Sequence, residues 1–385
     1  MSGINTSYRA VEANTKVRRL AYISALVDII GRKDVNEDRA YNLLIQWSLA
    51  NSHNLKSYVN QQGEVTSAKY PARRYIQFAY STGLLTRTMA TYRVAHQGLL
   101  LYELLQEHRG PEDNPFFLDN TEKIFYAFHL LSVDADILLT VFDLTKRFEL
   151  KLLKELQSAF RDIYLQRLGQ KVSNCDEGPV RQKLLERRTL VEHTWKNPER
   201  YAEHLVPTRL NWMLDLGLLE PKPFNKHMFI LSDMGRLFDS VLPLRIETDG
   251  YSDIDDDWLQ RSFFSKAVPG LALSISLRSW TTVDQNKLLT LIRDELESAF
   301  QRFQMIGTQA VPLDIAIQYV CIQLAARFGI LIDESDLTQL LTEELFVAKL
   351  GIQVRILPRP NESYIARISV TNAEESKQWS SQNLS

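Results

Sequence analysis

Two stretches, ARRYIQFAYSTGLLTRTMATYRVAHQGLLLYEL (72–104) and PTRLNWMLDLGLLEPKPFNKHMFILSDMGRLFDSV (207–241), follow one plan. Each begins as a short helix with a proline at or just before its start, Pro71 or Pro207, where a missing N–H costs nothing. A glycine and an apolar pair follow, Gly83-Leu84-Leu85 and Gly217-Leu218-Leu219, as expected where a helix ends in a left-handed residue before a strand. The returning strands read Tyr92-Arg93-Val94-Ala95-His96-Gln97-Gly98 and Phe229-Ile230-Leu231-Ser232-Asp233-Met234-Gly235. Their shared pattern is aromatic-x-apolar-(Ser/Thr)-x-x-Gly, with Ala95 standing where a small hydroxyl residue is usual. The pattern predicts, twice, a helix, a glycine stop, a hairpin and a closing helix.

Both segments resemble winged helices, although a helix-glycine-hairpin unit also belongs to other small α+β domains. The resemblance implies a mainly α fold with small β-hairpins, in which tandem winged-helix domains are joined by a helical spacer. A third unit is expected from a helix at 335–348 that leads through Lys349-Leu350-Gly351 to strands at 352–357 and 364–370, around the turn Pro358-Arg359-Pro360-Asn361. It lacks the terminal glycine signature.

Outside these segments, 385 residues exceed what one core usually organises, and 45% hydrophobic with 24% charged residues is a globular composition. Apolar spacing predicts helices at 16–30, stopped by Gly31, and at 36–52. Two long helices are expected over 120–169, ending at Gly169, and another over 180–195. Thr282 and Gln285 read as a capping box for a helix reaching Phe303, followed by one near 312–328. Turn-rich or acidic breaks at GPEDNP (110–115), QKVSNCDEGP (170–179) and ETDGYSDIDDDW (247–258) divide the chain. The expected parts are an N-terminal helical and winged-helix domain (1–110), a helical spacer (111–178), a second winged-helix domain (179–246), a C-terminal α+β domain (259–370) and a tail (371–385). With no run of eighteen apolar residues and no secretory signal, a cytoplasmic protein without a membrane span is expected.

Charge is unevenly placed. Through residue 110 there are fourteen Lys/Arg and eight Asp/Glu, against thirty-one and thirty-nine in the remainder. From Thr66 to Gly98 there are five basic residues and no acidic one. With Ile76 and Ala79 in the core, helical spacing puts Arg73, Arg74, Gln77 and Ser81 on the opposite face, flanked by Lys69, Arg87 and Arg93. In helix-turn-helix relatives the second helix enters the major groove and the wing reaches phosphates. The candidate DNA-binding residues are therefore Lys69, Arg73, Arg74, Gln77, Ser81, Arg87 and Arg93.

The second copy is expected to present Thr208, Asn211 and Asp215, with Trp212 and Phe224 exposed for a protein contact and Lys222, Lys226 and His227 available for weak phosphate contact. Asp333, Glu334, Asp336, Glu343 and Glu344 make partner binding the expectation for the third.

No glycine-rich phosphate loop occurs, His193 and His204 belong to no HExxH, and two cysteines, Cys175 and Cys321, are too few for a disulfide framework. Asp253, Asp255 and Asp257 alternate as in a calcium loop, but Trp258 replaces the required glycine and Phe264 the bidentate glutamate, so a solvated acidic linker is expected. The expectation is a non-catalytic protein without cofactor or metal. Its plan resembles the recognition portions of some type IIS restriction enzymes, and winged-helix subunits that accompany chromosome-organising or antiphage defence ATPases. That resemblance implies double-stranded DNA and an ATPase or nuclease subunit as partners. The alternatives are self-association as a homodimer, a protein-interaction scaffold without DNA binding, a stand-alone transcriptional regulator, and a nuclease with its site in 259–370.

Overall fold

The computed structural model of the chain describes residues 8–13, 15–57, 65–108, 114–148, 152–195, 197–222, 225–245, 251–305, 308, 310–350, 353–357 and 363–368. It is mainly α-helical, with small sheets of two or three strands. The chain forms two compact units, 1–274 and 275–385.

The first unit opens with α1 (Ala21–Ile30), β1 (Val35–Asn36), α2 (Glu37–Ala50), α3 (Lys69–Ser81), β2 (Leu85–Thr88), β3 (Thr91–Val94) and α4 (His96–His108). Gly31 ends α1 with φ +52, as its position predicts. Asn36 caps α2 by accepting from the Arg39 N–H, and Glu37 and Asp38 occupy the first turn, where acids are favoured. β1 pairs with β3, and β3 with β2, so the sheet order is β1-β3-β2. On α3, Ala72, Tyr75, Ile76, Phe78 and Ala79 are buried. Tyr75 packs against Tyr22 of α1, with ring centroids 4.9 Å apart.

The same unit continues with α5 (Asn120–Arg147), α6 (Leu153–Ser173), α7 (Gly178–Thr189), α8 (Pro198–Asp215), β4 (Leu219–Lys222), β5 (Asn225–Leu231) and α9 (Asp233–Val241). After β6 (Leu244–Arg245) and β7 (Tyr251–Ser252) comes α10 (Asp256–Ser262). α5 is long and apolar enough to cross a membrane, but 83% of its most apolar window is covered by protein. Asp119 and Glu122 form its capping box. A single antiparallel bridge joins Leu152, directly before α6, to Met228 of β5.

Several local expectations change. Gly169 does not stop α6, which runs four residues further; the open space over this glycine is occupied by the Arg188 guanidinium, 3.8 Å from where a Cβ would stand. Pro207 lies inside α8 and not at its start. The acidic stretch before α10 is not merely solvated: Asp253 is buried and 3.1 Å from Lys171, Asp255 caps α10 through the Trp258 N–H, and Asp256 pairs with Arg9.

The two quoted copies share backbone geometry. Gly83 and Gly217 both have φ +76. Leu84 N donates to Ala79 O (2.9 Å) and Gly83 N to Tyr80 O (3.1 Å), while Leu218 N donates to Met213 O (2.8 Å) and Gly217 N to Leu214 O (3.0 Å). These are the paired bonds of a Schellman cap, which needs a left-handed residue at its turn. The later glycines match too: a Cβ on Gly98 would stand 1.9 Å from Leu84 O, and one on Gly235 would stand 2.0 Å from Leu218 O.

The second unit contains β8 (Arg278–Ser279), α11 (Gln285–Phe303), β9 (Ala310–Pro312), α12 (Leu313–Phe328), β10 (Ile330–Leu331), α13 (Glu334–Leu340), α14 (Glu344–Leu350), β11 (Gln353–Leu357) and β12 (Tyr364–Ile368). α12 is buried on all sides from Ile315 to Ala326, which makes it the centre of this core. The single helix expected at 335–348 is two, broken at 341–343, and the hairpin gains β9 as a third strand in the order β11-β12-β9. Asp284, not Thr282, caps α11 by accepting from the Lys287 N–H; Thr282 Oγ1 donates to Ser279 O at 2.7 Å. The 358–361 turn and the 371–385 tail lie outside the described residues.

Since the clash at each late glycine is with backbone, Gly98→Ala and Gly235→Ala are each expected to destabilise the first unit by about 1–3 kcal/mol. Urea midpoints of the two variants, with exposed Ser81→Ala as an unchanged control, measure this.

Candidate nucleic-acid interface

Helical spacing on α3 turns Lys69, Tyr70, Arg73, Gln77, Tyr80 and Ser81 outward, because their neighbours at three and four residues fill the core. In the hairpin, Arg87 lies directly opposite Tyr92, whose ring packs edge-on against Tyr80 of α3. Arg87 therefore faces α3, with its guanidinium 5.5 Å from the Tyr92 ring centroid. Arg93 lies opposite Thr86, on the other face of the hairpin. The fold thus brings Lys69, Arg73 and Arg87 onto one groove and leaves Arg93 outside it.

That groove, of about 690 Å³, is lined by Asn36, Glu37, Tyr41, Lys69, Arg73 and Arg87, among others. The segment free of acids in sequence acquires them in space. Glu37 Oε1 is 3.0 Å from Arg73 Nε, Glu37 Oε2 is 3.9 Å from Arg87, and Asp34 is 3.3 Å from Arg93. Lys69 Nζ lies 4.8 Å from the Tyr41 ring centroid, and the Tyr41 hydroxyl donates to Asp38. The neighbouring Tyr41 hydroxyl holds the Lys69 pKa above its ordinary value. Sequence reading missed these acids because Asp34 lies just before β1 and Glu37 in the first turn of α2, and the β1–β3 pairing carries them to the hairpin. Solvent-facing pairs of this kind contribute about 0–1 kcal/mol.

Of the remaining candidates, Arg74 donates from Nη1 to Gln77 Oε1 at 2.8 Å and lies 4.7 Å from the Tyr70 ring centroid. Ser81 donates to Phe78 O of its own helix, so its hydroxyl proton is committed to backbone. Exposed Tyr70 and Tyr80 join this face; neither could be told from core aromatics by residue type alone.

The second copy is a correction. Thr208, Asn211, Trp212 and Asp215, expected on a presented face, are all buried. Trp212 packs against Phe78 of α3 in a tilted pair, ring centroids 4.9 Å apart, and donates to Val17 O at 3.0 Å. Asp215 accepts from Arg19 Nη1 at 2.8 Å and from Leu20 N at 2.9 Å. The helix is turned inward because the N-terminal segment covers it. Phe224 and the side chains of Lys222, Lys226 and His227 lie outside the described residues.

In the second unit Asp333 is buried, and Asp336 Oδ2 accepts from Trp280 Nε1 at 3.3 Å. Burial first, then the Asp314 and Asp333 charges, push Glu334 up to about 8, so it is largely protonated at neutral pH. Glu343 is exposed, and the side chain of Glu344 lies outside the described residues. Among the described residues no cluster of three His, Cys, Asp or Glu that would hold a metal is found, and Cys175 and Cys321 are buried free thiols.

Comparison of the chain with family models, with curated proteins and with solved structures finds no match.

Glu37 holds two groove arginines, so Glu37→Gln is expected to raise affinity for a polyanion. Elution of the variant from heparin at higher salt than the parent, with an unchanged melting temperature, is the expected result.

Proposed function

We propose that this chain is a non-catalytic, DNA-binding recognition or accessory subunit built from winged helices. One element order occurs three times and supports this reading. In the first, helix, strand, helix, helix and hairpin are α1, β1, α2, α3 and β2–β3, with the early strand pairing to the last. In the second they are α5, the Leu152 bridge, α6, α8 and β4–β5, with α7 inserted. In the third they are α11, β9, α12, α14 and β11–β12, with α13 inserted. In this reading α2 and α3 form a helix-turn-helix and β2–β3 the wing.

The observation that carries the function is the groove between α3 and β2–β3, where Lys69, Arg73 and Arg87 converge on a face left open among the described residues of the first unit. α8, the corresponding helix of the second copy, is buried along the face that α3 presents. DNA binding is accordingly assigned to the first copy alone, with α3 in the major groove and the hairpin along phosphates. The other copies are assigned to packing and to a partner subunit that supplies ATPase or nuclease chemistry, as in a defence or chromosome-organising assembly. The pairing of Asp34 and Glu37 with the arginines of this face favours a second reading, in which it meets a partner protein of mixed charge.

Fluorescence anisotropy with an arbitrary duplex at low and moderate salt separates the two. The DNA reading predicts binding that weakens steeply with salt. Arg73→Ala with Arg74→Ala should weaken it and lower the salt slope by about one unit for each phosphate no longer neutralised, with the fold retained. No association at low salt would leave the protein-partner reading.

A further inference from the structure

The first hairpin closes with two residues, since Thr88 pairs with Thr91. The first of them, Met89, has φ +54 and is the single non-glycine residue with positive φ among the described residues. Two-residue hairpins usually place Gly, Asn or Asp at such a position, because a Cβ there is crowded. Met89 is also 95% exposed, the highest value among the exposed large apolar side chains. Turn geometry favours glycine here and solvent favours a polar residue; methionine satisfies neither. Backbone strain of this kind persists only where the surrounding structure holds it, and it clusters at functional sites.

The surroundings point to the use. Arg87 Nε donates to Met89 O at 3.1 Å, fixing the tip through a guanidinium of the basic groove. The next residue, Ala90, lines that groove together with Lys69 and Arg73. We infer that Met89 is an apolar wedge that enters the minor groove of duplex DNA and partly unstacks one base step. This inference rests on the DNA-binding reading and deepens it. Inserted apolar side chains, methionine among them, kink a duplex toward its major groove, which here would close the DNA around α3. The favoured step is one that unstacks readily, pyrimidine followed by purine. The protein then discriminates sequence by deformability at a position where it reads no base edge.

The test uses the full chain, a duplex of about 30 base pairs labelled at both ends for energy transfer, and 2-aminopurine beside a central TA step. The wild type is expected to bend the duplex by about 20–90° and to raise 2-aminopurine fluorescence. Met89→Gly suits the turn better than methionine, so it should fold with an undiminished melting temperature. It should lose the bend and the fluorescence change, bind about tenfold more weakly, or about 1.4 kcal/mol, and keep the wild-type salt slope. Met89→Leu should retain bending. If Met89→Gly binds and bends DNA like the wild type, the wedge is wrong while electrostatic DNA binding stands, and the exposed methionine belongs to a protein contact. If the wild type binds no duplex at low salt, both the wedge and the reading beneath it fall.

Discussion

The carboxylate of Asp215 is the point on which the arrangement of the first unit turns. It ends α8, yet its two oxygens accept from the guanidinium of Arg19 and the backbone N–H of Leu20, at the start of α1. Earlier on the same helix, Arg209 forms a two-pronged pair with Asp134 and donates to Val11 O. Burial pushes the Asp134 carboxyl up, and the adjacent Arg209 guanidinium opposes that shift. Such pairs add little net stability relative to apolar packing, but removing one partner strands a buried charge at a cost of about 3–5 kcal/mol. Through them the buried face of α8 is tied to the N-terminal segment. Once α8 is committed to the N-terminal segment, the face of its counterpart α3 is the one left outward.

Asp134 shows how that commitment is built into the scaffold. It breaks the helical dihedrals of α5, at φ −135° and ψ 17°. Its Oδ1 accepts from Val11 N, and Asp136 accepts from Arg9 N while Asp136 N donates to Arg9 O. The interrupted helix thus captures an extended segment of backbone, whose polar groups would otherwise be buried without partners. Lys171 and Asp253 complete the cluster around Asp136. Separate stretches of chain, from the N-terminal segment to the loop before α10, meet in this polar core, which binds the first two copies into one unit.

Local features were legible in the sequence because they depend on one residue and its near neighbours. Gly83, Gly217 and Gly31 end helices where a left-handed residue was required, and the core face of α3 followed from helical spacing. What escaped depends on pairs far apart in the chain. Trp212 and Asp215 read as a presented face because Phe78 and Arg19, which cover them, lie more than a hundred residues away. The acids beside the first hairpin escaped for the same reason at shorter range: nothing in 66–98 announces that β1 will deliver Asp34 and Glu37 beside it. The three-strand sheet of the second unit was half visible, since β11–β12 read as a hairpin but β9, three residues ending in proline, carried no strand signal.

On the proposed DNA-binding reading, inward α8 and outward α3 together mean that a single copy meets the nucleic acid. Amide hydrogen exchange of the full chain, with and without saturating duplex, tests it most directly. Slowed exchange confined to residues 69–81 and 85–94, with 198–215 unchanged, is the predicted result. Slowed exchange across 198–215 with none in 69–81 would contradict it, because it would require Trp212 and Asp215 to leave their partners and face the DNA.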